Sequence, residues 1–351
     1  MSYELTIEPL GVTIELEEQQ TILDAALRAG IWLPHVCNHG LCSSCKVELI
    51  EGEVEHGEAS PFALMDYERE EGLLLTCCAT AESDLVIEAD IVVDDDARFI
   101  PVEDFGAEVV QVSHPTSDLA RILLKLDRRF DFQPGQSINL KVPGVDAPRA
   151  FSVAGLPDDE LLELHVRQVP GGMATSYLCE KLIVGEQLSF SGPYGQFFAR
   201  ESRSEPALLL SAGSGLSGVL GIARRLLEVD PNREVFLYHG ARNVEQLYAD
   251  DTLRQLDAEY SAFHYRPVVS QSAPEEGWSG RTGHVPDAMG IDFDQHFSGH
   301  VAYICGSPAM VESTISSLIK GRLFERDIFV ERFYNADNAD SVKRSQMFKT
   351  I

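Results

Sequence analysis

The stretch that most constrains this chain is Cys37-Asn38-His39-Gly40-Leu41-Cys42-Ser43-Ser44-Cys45, three cysteines in a C-x4-C-x2-C loop. An adjacent pair, Cys77 and Cys78, follows well downstream. Three thiolates on one loop, completed by a distant fourth, match a ligand spacing of 2Fe–2S clusters, whose soft iron centres take sulfur ligands. Gly40, Ser43 and Ser44 are small enough to let main-chain N–H groups approach cluster sulfurs. Structural zinc and buried free thiols are the competing readings. Zinc sites usually combine two short Cys or His pairs, and only one such pair is present. The spacing predicts an iron–sulfur loop, with Cys77 or Cys78 as fourth ligand.

A chain of 351 residues, 44% hydrophobic and 24% charged, has room for two or three domains and an ordinary globular composition. No apolar run reaches the length of a membrane span. Met1-Ser2-Tyr3-Glu4 lacks the basic and apolar regions of a signal peptide, so none is expected. Seven cysteines, four of them assigned to a cluster, argue for a reducing, cytoplasmic setting rather than a disulfide framework. The formal charge is −28, and residues 1–104 carry most of it, with 24 Asp and Glu against 4 Lys and Arg. That balance argues against nucleic acid as a partner. It fits either a solvated surface or an acidic docking face.

Residues 3–8 and 12–17 alternate apolar and polar around Gly11 and predict a hairpin. Residues 21–30 have helical spacing at Ile22, Leu23, Ala26 and Leu27 and stop at Gly30. The cysteine loop and a strand at Lys46–Ile50 complete a small β-grasp-like module. Asp94-Asp95-Asp96 opens a polar linker to Pro101. Short strands then dominate, at 107–112, 119–126, 137–142 and 161–168, and predict an antiparallel barrel. From Pro206 the pattern becomes strand 207–211, helix 219–229, strand 234–239, helix 244–259 and strand 300–305, which predicts an α/β domain with a parallel sheet. The expected boundaries are 1–94, 103–203 and 204–335, with a tail at 336–351 ending in Met347-Phe348-Lys349-Thr350-Ile351.

Arg149-Ala150-Phe151-Ser152 places a guanidinium, a ring and a hydroxyl within four residues. Together they suit a flavin dinucleotide: Arg149 on the pyrophosphate, Phe151 beside the ring system, Ser152 toward N5. Gly171-Gly172-Met173-Ala174-Thr175 opens a predicted helix whose N–H groups would receive phosphate. Gly192-Pro193-Tyr194-Gly195 reads as a turn. Ser211-Ala212-Gly213-Ser214-Gly215-Leu216-Ser217 joins a strand to a helix, and its Gly-x-Gly suits a dinucleotide pyrophosphate. Gly240-Ala241-Arg242 ends the next strand, where an adenosine ribose would lie. Arg242 there would either meet a 2′-phosphate or cap a helix.

These motifs resemble the ferredoxin–NADP reductase-like flavoproteins: Arg149-x-Phe151-Ser152 their Arg-x-Tyr/Phe-Ser box, Gly172-x-x-Thr175 their pyrophosphate segment, and Gly192-Pro-Tyr-Gly195 their Gly-Pro-x-Gly turn. The N-terminal module resembles a plant-type ferredoxin, whose Leu-x-Cys step selects Cys77 and leaves Cys78 as a small core residue. The combination resembles the reductase component of bacterial multicomponent oxygenases. The strings Glu58-Ala-Ser-Pro-Phe-Ala-Leu-Met65, Leu85-Val-Ile-Glu-Ala-Asp90 and Gly321-Arg-Leu-Phe-Glu-Arg-Asp327 look closest to phenol hydroxylase reductases, whose hydroxylase partner is a di-iron protein. The resemblance implies a β-grasp ferredoxin domain, a β-barrel FAD domain and an α/β NADH domain. It implies cluster ligands Cys37, Cys42, Cys45 and Cys77. It places Arg149, Phe151, Ser152, His165, Val166, Gly172 and Thr175 at FAD, and Gly213, Gly215, Arg242 and Gly306 at NADH. Ser152, Cys305, Glu331 and Phe333 would border the hydride-transfer point, Cys305 through a Cys-Gly-Pro-Pro-like turn. Three positions depart from the usual pattern: Asn38 for Arg, Ser43 for Gly and Phe151 for Tyr. The implied chemistry is electron flow from NADH through FAD and the cluster to an oxygenase. Reductases acting with benzoate, toluene or methane oxygenases or in deoxysugar synthesis share these motifs. A cofactor-free binding subunit is the reading from a different class.

Overall fold

The computed structural model describes residues 2–35, 38, 40, 41, 43–91, 94–271 and 277–334. Two compact units emerge, Met1–Glu103 with Gly192–Gln196, and Asp104–Ser191 with Phe197–Ile351. The tail expected over 336–351 lies outside the described residues.

The first unit contains β1 (Ser2–Glu8), β2 (Val12–Glu17), α1 (Ile22–Arg28), β3 (Lys46–Glu51), β4 (Val54–Glu55), α2 (Asp66–Glu70), β5 (Leu73–Leu75), β6 (Thr80–Ala81) and β7 (Leu85–Glu88). Its main sheet runs β2-β1-β7-β3-β5, with β1 and β7 parallel and the other neighbours antiparallel. Alternation along β1 buries Leu5 and Ile7, and α1 lays Ile22, Leu23, Ala26 and Leu27 into the same core. Thr21 caps α1, its hydroxyl accepting the Asp24 N–H at 3.3 Å. This is the β-grasp arrangement read from the sequence. The polar linker is anchored at its end. Val102 is buried in this core, and its N–H donates to the Leu27 carbonyl at 3.1 Å.

The second unit begins with β8 (Glu103–Thr116, from Asp104 on), β9 (Leu119–Leu126), β10 (Ser137–Lys141), β11 (Arg149–Ser152), β12 (Leu162–Arg167), α3 (Met173–Glu180) and β13 (Gln187–Tyr194, as far as Ser191). These strands form one sheet in the order β11-β10-β13-β8-β9-β12. An antiparallel bridge between Val153 and Leu164 joins the two ends and closes a barrel. The barrel is filled by Phe105, Phe130, Phe132 and Phe190 among aliphatic residues.

The rest of the unit is β14 (Ala207–Ala212), α4 (Leu216–Val229), β15 (Val235–Ala241), α5 (Asp250–Glu259), β16 (Phe263–Val269), β17 (Arg281–Thr282), α6 (Val285–Asp292), β18 (Val301–Gly306), α7 (Pro308–Lys320) and β19 (Ile328–Arg332). Its sheet, β17-β16-β15-β14-β18-β19, is parallel throughout. The chain leaves β14 toward one edge and later returns beside it as β18, so the strand order reverses between these two. In open parallel sheets that switch point is where dinucleotides bind.

Two expectations are corrected. The helix read over 244–259 starts only at Asp250: Ala249 takes φ +56°, and Val244–Gln246 is a separate 3-10 turn capped by Asn243. The break turns Tyr248 inward, where it is 4% exposed, so packing overrides helix propensity. Gly192-Pro193-Tyr194, read as a turn, instead ends strand β13, and Tyr194 is buried. No helix among the described residues is long and apolar enough to cross a membrane.

Candidate functional site

Of the four expected cluster ligands, Cys37 and Cys42 lie outside the described residues. Cys45 and Cys77 are brought together with their sulfurs 3.3 Å apart. Strand register does this. Lys46 pairs with Leu75 across β3 and β5, and the Thr76 N–H donates to the Cys45 carbonyl at 3.0 Å just beyond the ladder. Cys78 is not the core filler expected: it is half-buried, with its sulfur 3.6 Å from that of Cys77. Gly40 holds φ +69°, and a Cβ there would lie 2.6 Å from the Cys78 sulfur, so only glycine lets the loop close here. Asn38 and Ser43, two of the departures from the usual pattern, also take positive φ, +57° and +60°. Ser43 is tied down by its hydroxyl, which donates to the Ala63 carbonyl at 2.8 Å. Among the described residues, the Cys45 and Cys77 thiols, held together beside the tight approach of Gly40, fit part of the soft sulfur ligand set an iron–sulfur cluster needs.

On the barrel, β10 and β11 pair Ser137 with Ser152, Ile138 with Phe151, Asn139 with Ala150 and Leu140 with Arg149. Phe151 and Arg149 therefore share one face and Ser152 the other, since side chains alternate along a strand. The Arg149 guanidinium donates to the Ala147 and Pro148 carbonyls at 2.8 and 3.1 Å. Ser152 is buried, 5% exposed. Asn139 has a buried side-chain oxygen without a hydrogen-bond partner. Gly172 caps α3, and the Thr175 hydroxyl pins the turn by accepting from the Val169 N–H at 3.0 Å and donating to the Gly172 carbonyl at 3.3 Å. The N-terminus of α3, the Arg149 guanidinium and the orphaned Asn139 amide oxygen are each of a chemistry that fits a flavin dinucleotide.

Val166 points into the barrel core, so its side chain is not offered to a cofactor. Both ring nitrogens of His165 are engaged, Nε2 with Glu163 at 2.7 Å and Nδ1 with the Tyr248 hydroxyl at 3.2 Å. Burial pushes the Glu163 carboxyl up, but hydrogen bonds from His165 and Arg121 outweigh it and hold the group at about 2. Tyr248 lies on the loop before α5, so this contact fastens the barrel to the parallel-sheet half. Its ring also meets His239 edge-on, and the His239 Nδ1 lies 3.1 Å from the Ser211 hydroxyl. Burial, then the charges of Arg167 and His165, drive the His239 pKa down to about 3.

In the parallel half, Gly213–Gly215 forms a 3-10 turn leading into α4. A Cβ on Gly215 would lie 2.1 Å from the Cys305 carbonyl oxygen, and one on Gly213 would lie 2.2 Å from Arg167 Nη1. The turn thus packs on the end of β18 and under an arginine from the barrel, leaving its N–H end for a phosphate. Register sets Glu331 beside Cys305, and the Phe333 N–H donates to the Gly306 carbonyl at 2.9 Å. Gly213, Gly215, Cys305, Gly306, Glu331 and Phe333 are therefore assembled at one end of the sheet. The Cys305 thiol itself is fully buried against Gly218, and burial raises its pKa well above the ordinary value. Arg242 is exposed at the end of β15.

Arg167, Glu163, Tyr248 and His239 escaped the sequence reading. Apart from His165, which sits two residues from Glu163, their hydrogen-bonding partners lie tens of residues away, Asp118 for Arg167 at 3.0 Å among them, and no local spacing marks such pairs.

Residues 5–82 match the 2Fe-2S iron-sulfur cluster binding domain, 107–198 the oxidoreductase FAD-binding domain and 209–315 the oxidoreductase NAD-binding domain. The chain thus has the binding domains for a 2Fe–2S cluster, FAD and NAD. The chain is 47% identical to the phenol hydroxylase P5 protein of Acinetobacter pittii (strain PHEA-2), covering 100% of both chains. It is 48% identical to the phenol 2-monooxygenase reductase component DmpP of Pseudomonas sp. (strain CF600), again over 100% of both. The crystal structure of the Amycolatopsis cytochrome P450 reductase GcoB superposes with a TM-score of 0.87 at 35% identity, covering 95% of this chain and 99% of that one. At these identities over its whole length, the chain belongs to the family of phenol hydroxylase reductase components.

Proposed function

We propose that this chain oxidises NADH and passes the electrons, through FAD and the 2Fe–2S cluster, to the di-iron hydroxylase of a phenol 2-monooxygenase. The observation that carries the reading is full-length identity near one half to two phenol hydroxylase reductase components, with all three cofactor-binding domains on one chain. FAD supplies two-electron uptake with one-electron release, and the cluster supplies one-electron exit.

The chain's own residues bind and orient. Arg149 and the α3 N-terminus, with Gly172 and Thr175, would hold the FAD pyrophosphate. Ser152, buried and paired with Ser137 of β10, would present its hydroxyl to the flavin ring. The Gly213–Gly215 turn would receive the NADH pyrophosphate, with Arg167 over it as a cation held in place by Asp118. Phe333, fixed by its hydrogen bond to Gly306, would cover the flavin until nicotinamide arrives. Cys45 and Cys77, with Cys37 and Cys42, would ligate iron.

The test is reconstitution with purified hydroxylase components from phenol, toluene, benzoate and methane systems, following NADH-dependent product formation. Turnover with the phenol hydroxylase well above the others is expected. Equal or better turnover with another oxygenase would overturn the assignment, and purified protein without flavin or iron absorbance would favour a binding subunit.

A further inference from the structure

The segment between β4 and α2 has two unlike faces. Inward, Ala59, Ala63 and Leu64 pack with Cys45 and Leu75 into a small core bordered by Cys77 and Cys78. The Ser60 N–H donates to the Gly40 carbonyl at 3.0 Å, and Ser43 reaches Ala63, so the segment runs alongside the cysteine loop. Outward, Phe62 is 85% exposed, more than any other large apolar residue described. Leu41 on the loop itself, Met65 and Tyr67 are exposed by 46, 45 and 55%. An aromatic standing free in water beside a cluster loop is an exposed apolar patch of the kind that marks interaction sites.

The edge of this patch is anionic. Glu58, Asp66, Glu70 and Glu71 are all exposed around it. Lys46 is paired with Glu68 at 2.6 Å, and Arg69 donates to the Ala59 carbonyl at 3.3 Å, so Glu58, Asp66, Glu68, Glu70 and Glu71 outweigh these two cations and the rim stays net negative. A second copy of the chain would bring the same acidic rim and be repelled. A partner with an apolar recess edged by lysine and arginine would be steered in and then anchored.

We propose that Phe62, with Leu41, Met65 and Tyr67, is the docking surface for the oxygenase component, Phe62 being the anchor. Docking there would set the partner beside Gly40, Leu41 and Ser43 and close to the small core that holds Cys45 and Cys77, which would keep the electron path short. This rests on the function proposed above. It adds which face engages the partner and what chemistry the partner must present.

The experiment uses full-length holoenzyme and varies the oxygenase concentration at saturating NADH. Wild type must first support turnover, and failure there would sink the functional reading and not this one. Given turnover, Phe62→Ala should raise KM for the oxygenase by about tenfold or more, as loss of a central aromatic anchor does. Phe62→Leu should recover part of it, and D66K combined with E70K should raise KM further and flatten its salt dependence. Ferricyanide reduction, visible absorbance and the reduced-cluster paramagnetic resonance signal should match wild type in all variants. A KM for Phe62→Ala within about twofold of wild type would overturn the proposal. So would sedimentation showing a wild-type dimer that Phe62→Ala dissociates, since the surface would then serve self-association.

Discussion

Gly215→Ala isolates the close fit between the dinucleotide turn and β18. The new Cβ would lie 2.1 Å from the Cys305 carbonyl oxygen. Carbon–oxygen contacts settle at about 3.3 Å, so turn and strand must part by about 1.2 Å. Both sides are backbone, so no side chain can swing aside. Gly215 has φ −58°, which alanine tolerates, so the penalty is steric rather than conformational. Overpacking costs ~1–3 kcal/mol, and moving backbone places this change near the upper end. At about 2–4 °C per kcal/mol for a unit of this size, the melting temperature should fall by about 6–12 °C. A shift of about 1 Å in the turn should also slow flavin reduction by NADH roughly a hundredfold. Gly213→Ala is the control. Its φ of +54° costs ~1–2 kcal/mol, but its close neighbour is the movable tip of Arg167. Melting followed by flavin fluorescence, with stopped-flow flavin bleaching under NADH, measures both. Gly215→Ala melting within about 2 °C of wild type, or milder than Gly213→Ala, would refute the reasoning.

Arg149→Ala should lose FAD on gel filtration while keeping the cluster spectrum. Ser152→Ala should retain FAD but bleach slowly with NADH. Cys77→Ser should abolish or severely alter the paramagnetic resonance signal of the reduced cluster, and Cys78→Ser should preserve it with a shifted midpoint potential, because its sulfur lies beside that of Cys77, the proposed ligand. The depressed pKa of Glu163 means that its contribution to stability is present above the ordinary carboxylate range and is lost as pH falls toward about 2. Glu163→Gln should therefore melt below wild type at neutral pH, with the gap closing in acid; a gap independent of pH would contradict this.

What local pattern encodes was legible in the chain. The C-x4-C-x2-C spacing named the cluster because ligands on one loop must sit close in sequence. Alternation and helical periodicity named a grasp, a barrel and a parallel sheet because each buries one face or both. Gly213-x-Gly215 marked its turn because glycine is needed where backbones approach closely. Other features depended on strands separated in sequence coming together. Register across β3 and β5, not spacing, sets Cys77 against Cys45 and leaves Cys78 partly buried beside it. The inward turn of Tyr248 broke a helix that propensity would have continued, because its hydroxyl found His165, 83 residues away. Arg167 reached Gly213 only once β12 and the turn before α4 were packed together. Phe62 reads in sequence like any core aromatic. Only the fold, by burying Ala63 and Leu64 beside it, turned it out to water.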